Sequence, residues 1–264
     1  MRDRFDSETY WWILERVAAA NRCVRFRDFG SEDPAEPFFI LRHDVDYSPA
    51  AALKLAEAEA NRGVSATYFL LAGTRYYNLL APEHAHVARR LAELGHEVGL
   101  HYDATFFRPF PRAEWGRLLR AQAQLLSELA GTPVVSIAMH QPALNSGDPF
   151  AADSGFINAY DPRFVRDTLY VSDSCRAWRD QAWSMLESGM IPRRLQLALH
   201  PLNWSDQDRD RVTIFRTVHE DVIQDVRRAG EELLAKVAVH SGVLEHEQRL
   251  ARDRSFPASR NGEA

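Results

Sequence analysis

The chain reads as an α/β protein on a parallel sheet, most simply an α/β barrel, and three observations predict this. Short apolar runs alternate with longer helix-forming stretches between residues 38 and 200, the pattern of repeated strand–helix units. The runs are apolar at consecutive positions, as in Phe38-Phe39-Ile40-Leu41 and Tyr68-Phe69-Leu70-Leu71, and so read as buried strands. The polar motifs Asp44, Asp46, His101, His140 and His200 follow the ends of such runs, and barrels of this type keep their active sites at the C-terminal ends of the strands.

Taken in order, Asp6 or Ser7 can cap a first helix whose apolar stripe (Tyr10, Trp11, Ile13, Leu14, Val17) runs to about Asn21. Residues 23–29 alternate and predict a short strand, and 30–37 a loop rich in Gly, Pro and acidic residues. The strand over 38–43 comes next, then Ser48-Pro49 open a helix over 50–61 that Gly63 stops. A strand over 64–71, a helix over 82–94 ended by Gly95 and a strand over 97–102 follow. An amphipathic helix over 112–129, closed by Gly131, leads to a strand over 134–139. Residues 145–166 are irregular, with Gly147, Pro149, Gly155 and Pro162, and long enough to fold over a site. A strand over 169–172, a helix over 183–187, a strand over 195–199 and a long helix over 218–239 complete the pattern. No repeats or heptads are present.

At 264 residues the chain suffices for one sizeable core, and its 45% hydrophobic and 26% charged content is ordinary for a globular protein. A formal net charge of −5 argues against a nucleic-acid partner, which calls for a basic face. Two distant cysteines, Cys23 and Cys175, exclude a disulfide framework and a cysteine-rich zinc site. The charged start Met1-Arg-Asp-Arg-Phe-Asp-Ser-Glu lacks the apolar core of a signal peptide, and no apolar stretch approaches membrane-spanning length. A cytoplasmic protein without a membrane partner is expected, its oligomeric state left open.

Asp44 and Asp46 stand two positions apart at a strand end and so project to the same side, with Val45 turned away. Like charges this close raise each other's pKa unless a proton or cation sits between them. A divalent metal is the simplest such cation, and a solvated acidic turn the plain alternative. In Gly95-His96-Glu97-Val98-Gly99-Leu100-His101-Tyr102-Asp103, strand alternation puts Glu97, Gly99, His101 and Asp103 on one side. His101 near the two aspartates completes a His/carboxylate metal shell, or else is a hydrogen-bonded histidine of the barrel mouth. His96, on the other side, reads as structural. His140, before Gln141-Pro142, suits a metal ligand or a substrate contact. Asp173 and Arg176 are placed to hold or tune a catalytic group and Trp178 to wall a sugar-sized cleft, against the alternative of surface-loop chemistry. His200, closing the apolar run Leu195–Leu199, suits a general acid, with Pro201 stiffening its backbone and Trp204 as an apolar wall. His84, His86, His219, His240 and His246 lie on polar helical segments and read as surface residues, and Tyr10-Trp11-Trp12 as packing.

Together these motifs, from about Phe38 to Trp204, resemble the polysaccharide deacetylase superfamily, carbohydrate esterase family four. The resemblance implies a single distorted (β/α) barrel carrying a divalent metal, zinc foremost. It implies Asp44 as catalytic base, Asp46 and His101 as metal ligands, and His200 as general acid. Two departures stand out. The family's second motif continues to another histidine four residues on, where this chain has Thr105, so the third ligand falls to His140 first and Asp103 second. The family's Arg-x-Pro motif is replaced by His140-Gln141-Pro142, leaving Arg176 or Arg42 to steady the base.

The expected protein is one barrel domain over 1–252, with residues 6–29 packed on it and a disordered tail over 253–264. The expected activity is metal-dependent removal of an N-acyl group, N-acetyl foremost, from an amino sugar or related small amine. Beside it stand an amidase acting on a non-sugar linear or cyclic amide and a non-catalytic barrel that binds a glycan or a partner protein.

Overall fold

The computed structural model describes residues 4–30, 36–144, 154–178 and 180–254. The chain divides into two compact units, Met1–Val218 and His219–Ala264. In the first, seven parallel strands among the described residues form a curled half-barrel. They are β2 (Phe38–Val45), β3 (Thr67–Leu71), β4 (Glu97–Tyr102), β5 (Ser136–Met139), β6 (Ile157–Asn158), β7 (Leu169–Ser172) and β8 (Arg194–Leu199), in the spatial order β6-β5-β4-β3-β2-β8-β7. A two-residue strand, β1 (Arg22–Cys23), pairs with the start of β2. The helices are α1 (Ser7–Ala20), α2 (Pro49–Ala60), α3 (Val87–Glu93), α4 (Trp115–Ala130), α5 (Pro162–Val165), α6 (Asp180–Ser188) and α7 (Arg211–Arg254).

Helix ends follow the local sequence. Asp6 caps α1 by accepting from Thr9 N at 2.9 Å, and Ser48 caps α2, with Pro49 in its first turn; each such cap stabilises by about 1 kcal/mol. Gly131 ends α4 with φ of 69°, a left-handed conformation that a side chain would strain.

Strand alternation sorts the residues into two layers. Phe39, Leu41 and Val45 of β2 join Tyr68, Leu70, Val98 and Leu100 in the core beneath the helices, where α1 contributes Tyr10, Ile13, Leu14 and Val17. Phe38 and Ile40 point the other way and, with Val24, Phe26, Phe69, Ala138, Ala159 and Phe164, plug the barrel interior. Gly99 shares that interior: a Cβ there would meet the Phe69 ring at 2.5 Å and Ser136 Oγ at 2.8 Å. Above this apolar floor the inward positions turn polar, with Arg42 and Gln196 fully buried.

The helix-side layer holds a buried polar cluster. Glu59 of α2 lies 2.7 Å from His43 Nε2, accepts from Tyr68 at 2.7 Å, and also accepts from the Tyr10 hydroxyl. Its carboxylate is held below the ordinary range, burial being outweighed by His43, the Tyr10 hydroxyl and His96. His96, expected to be structural, accepts from Ala66 N through Nδ1 at 3.1 Å and donates through Nε2 to Ala56 O at 3.0 Å.

The sheet is open between β6 and β7, which are not paired among the described residues. Side chains of β8 and β2 hold the segment after β6. Gln196 of β8 donates to Phe164 O at 2.8 Å and Ala159 O at 3.4 Å, and Arg42 of β2 donates to the Tyr160 hydroxyl at 2.6 Å.

Several boundaries differ from the sequence expectation. The strand expected over 23–29 shortens to β1, because the chain folds into a 3-10 turn, Phe26–Asp28, that drives Phe26 into the interior against Phe69 and Phe164. Strands expected from 64 and 134 begin at Thr67 and Ser136, after the turns that precede them. The final helix, expected over 218–239, is α7, since no proline interrupts 202–256 and its isolated glycines are tolerated. Helix therefore continues past 252 to Arg254, and the remainder of the expected tail, 255–264, lies outside the described residues, as does 145–153 of the expected lid. The second unit carries α7 onward from His219, with Val226, Leu233 and Val237 exposed. Among the described residues no helix is long and apolar enough to cross a membrane.

Candidate active site

The C-terminal ends of β2, β4, β5, β7 and β8 open into a cavity of about 400 Å³ whose lining includes Asp44, Asp46, His101, His140, Tyr160 and His200. At its centre Asp46 Oδ1 lies 3.1 Å from His101 Nε2 and 3.3 Å from His140 Nδ1, and the two imidazole nitrogens are 3.2 Å apart. These three atoms converge within 4.8 Å of one another. Asp46 Oδ1 is buried yet makes no hydrogen bond of acceptable geometry, as expected of a ligand atom facing a shared point. His101 Nδ1 donates to Ala138 O at 3.0 Å, which leaves the Nε2 lone pair facing that point. One carboxylate and two imidazoles fit zinc or a similar divalent ion with an open coordination position. Burial alone would raise the Asp46 pKa, but the two histidines outweigh it and hold the carboxyl far below the ordinary range.

The neighbouring aspartate has different company. Arg42 grips Asp44 with both arms, Nε to Oδ1 at 2.9 Å and Nη2 to Oδ2 at 2.7 Å. Burial works to raise the Asp44 pKa, and the guanidinium overrides it and keeps the carboxyl low. Arg42 is itself fixed by Gln196 at 3.2 Å and by Tyr160, whose hydroxyl accepts from it and whose ring lies 4.5 Å from the guanidinium carbon. Thus the two aspartates share a side but not a role: one faces the histidines, the other an arginine.

Opposite, His200 Nδ1 lies 2.6 Å from Asp173 Oδ1, and Nε2 is 3.9 Å from Asp46 Oδ2. Asp173 is fully buried and also accepts from Trp204 Nε1 at 2.9 Å, Asn203 Nδ2 at 3.0 Å and His200 N at 3.1 Å. Burial opposes charge on His200, but Asp173 prevails and pushes its pKa up to about 10, with help from Asp46 and Asp44. The ring is therefore positioned as a proton donor.

Backbone strain concentrates here. Gln141, Cys175 and Arg176 are the non-glycine residues with positive φ among the described residues, at 47°, 61° and 53°, and all three line this cavity. Such strain is characteristic of functional loops.

Most of the expected site residues converge, and four find other surroundings. Asp103 turns back to cap a 3-10 turn, accepting from Thr105 N at 2.8 Å and Thr105 Oγ1 at 2.7 Å, and lies outside the ligand trio. Arg176 reaches the cavity but binds Asp208 at 2.6 Å and Asn203 O at 2.8 Å, so Arg42 is the arginine on Asp44. Trp178 does not wall the cleft: it is buried, stacked on Phe5 at 5.8 Å and against Trp204 at 6.1 Å, because the chain turns inward after the strained Cys175-Arg176 pair. Trp204 is likewise no open wall, and its buried indole supports Asp173. Gln196, Asn203 and Tyr160 were not singled out from the sequence. Tyr160 lies in the irregular stretch, where no periodicity marks which side chains turn inward.

No family model matches the chain, and no curated protein matches it. Solved structures do. A family 4 carbohydrate esterase from Bacillus anthracis is 14% identical, over 82% of this chain and 86% of that one, with a TM-score of 0.43. Among the structures it resembles are family 4 carbohydrate esterases. Peptidoglycan deacetylase PdaC from Bacillus subtilis is 17% identical over 75% of this chain and 99% of that one, at a TM-score of 0.39. A family 4 pseudoenzyme from Bacillus anthracis is 15% identical over 75% of this chain at a TM-score of 0.41, and this chain spans 63% of its length.

Proposed function

We propose that the unit up to Val218 is a metal-dependent deacylase of the polysaccharide deacetylase type, removing an N-acyl group, N-acetyl foremost, from an amino sugar or related amine. The observation that carries this is the convergence of Asp46, His101 and His140 between two differently prepared groups, Asp44 on Arg42 and His200 on Asp173. A divalent ion held by the trio supplies Lewis-acid polarisation of an acyl oxygen and acidifies water. Asp44, kept ionised by Arg42, accepts the proton of the attacking water. Arg42 fixes the orientation of Asp44, which lies outside the ligand trio. His200, kept charged by Asp173, gives its proton to the departing amine, without which an amide nitrogen leaves poorly.

The test is acetate release from a panel of N-acetylated sugars and amines, with zinc present and after chelation. Turnover that needs the metal, and that Asp44→Asn lowers far more in kcat than in KM, is expected. Undiminished turnover in Asp44→Asn sinks the assignment. Zinc anomalous scattering bonded to Asp46, His101 and His140 is the structural counterpart.

A further inference from the structure

Resting on that hydrolase reading, we propose that the substrate carries an anionic group, phosphate or carboxylate, that Arg211 engages while Tyr47 and Phe215 hold the apolar face beside it. The first turns of α7 bring Arg211 and Phe215 to the lining of the same cavity. Phe215 meets the Tyr47 ring edge-on at 5.1 Å, and Tyr76 meets Tyr47 at 4.8 Å. Tyr47 directly follows Asp46, so this aromatic shelf starts one residue from the ligand trio. A cavity of about 400 Å³ is within the range of whole-ligand pockets, larger than an acetyl group needs.

Among the described residues that line the cavity, the charges are committed with one exception. Asp44 is held by Arg42, and Asp46 faces the two histidines. Arg176, the other arginine of the lining, is tied to Asp208 at 2.6 Å. Asp210, next to Arg211, is used as a helix cap and accepts from Thr213 N at 3.0 Å and Thr213 Oγ1 at 2.5 Å. Arg211 has no carboxylate within ion-pair reach among the described residues, and its guanidinium lies over the Phe215 ring at 6.0 Å. Arginine keeps its charge at all working pH values, and its planar fork matches a carboxylate or phosphate bidentately. An uncommitted guanidinium above an aromatic shelf, at the mouth of a hydrolytic cavity, recognises a ring or chain bearing an anion.

Three probes decide it: N-acetylglucosamine, its 6-phosphate and N-acetylmuramic acid, each assayed for acetate release and for binding by calorimetry. In the wild-type protein at low salt, kcat/KM for at least one anionic probe should exceed that for the neutral sugar by about tenfold or more. In Arg211→Gln that ratio should fall towards one through KM, Arg211→Lys should restore part of it, and Arg216→Gln should keep the wild-type ratio. Which anionic probe is preferred separates phosphate from carboxylate. A ratio near one in the wild type, or one unchanged in Arg211→Gln, overturns the inference. If no probe is turned over but anionic probes bind in an Arg211-dependent way, the hydrolase reading fails and the anion site stands; equal binding of all three probes to both proteins overturns the site.

Discussion

Arg42 holds both carboxylate oxygens of Asp44, a residue only two positions further along the same strand. The pair is buried, so neither charge has water to fall back on, and the arginine is in turn gripped by Gln196 and Tyr160. A lysine keeps the charge but not the fork. Arg42→Lys should therefore lower kcat by about tenfold or more with a smaller change in KM, and Arg42→Met should cost on the order of 3–5 kcal/mol of stability by stranding a buried charge. Steady-state kinetics and urea unfolding check both. Wild-type kcat in Arg42→Lys refutes the positioning role.

His140, rather than Asp103, stands with Asp46 and His101 in the proposed ligand trio, a choice the sequence leaves between two candidates. His140→Ala should weaken zinc binding by more than the roughly 10–100-fold that an outer-shell partner is worth, while Asp103→Ala should leave it within a few-fold of wild type. Competition against a chromophoric chelator measures both. The reverse order would return the ligand role to Asp103.

His200 and Asp173 act as one unit in the proposed mechanism. His200→Ala should lower kcat by roughly 10²–10⁴, and Asp173→Asn should lower it in the same direction. The double variant should be no slower than His200→Ala alone, since residues serving one role are non-additive. Fully additive losses would mean that Asp173 works through some other group.

Glu97 gives the stability of the fold a pH dependence of its own, away from the cavity. It is buried among Thr67 Oγ1, Ser136 Oγ and Arg27 N, and burial raises its carboxyl above the ordinary value of 4.5. The fold favours its protonated form. That contribution is fully present below about pH 4.5 and is lost as pH rises through the folded value. Glu97→Gln keeps an acceptor for Arg27 and can turn its amide nitrogen to Ser136. It should gain in Tm relative to wild type as pH rises from 4 to 8. A Tm difference independent of pH counts against this account.

Much of the site follows from one periodicity. Strand alternation puts Asp44 beside Asp46 and separates His101 from His96, and the apolar runs locate the strand ends at which His140 and His200 stand. The same i, i+2 rule, applied one step earlier, sets Arg42 beside Asp44. An arginine inside so apolar a run was the available signal. Tyr160 and Arg211 had no such marker, because each meets the cavity through contacts far from it in sequence, in segments without a strand's regularity. Glu59 was hidden differently: in an alanine-rich helix a single acid reads as a solvated residue, and only the approach of His43, Tyr10 and Tyr68 makes it a buried anchor. Trp178 misled because its neighbours lie near the cavity, while its own indole turns into the aromatic core.

The gap between β6 and β7 ties assembly to reactivity. No backbone ladder among the described residues joins those edges; Gln196 of β8 and Arg42 of β2 instead reach the segment that follows β6. The arginine that reaches Tyr160 is thus also the rest on which Asp44 lies. One side chain serves both the joining of the wall and the aim of the proposed base.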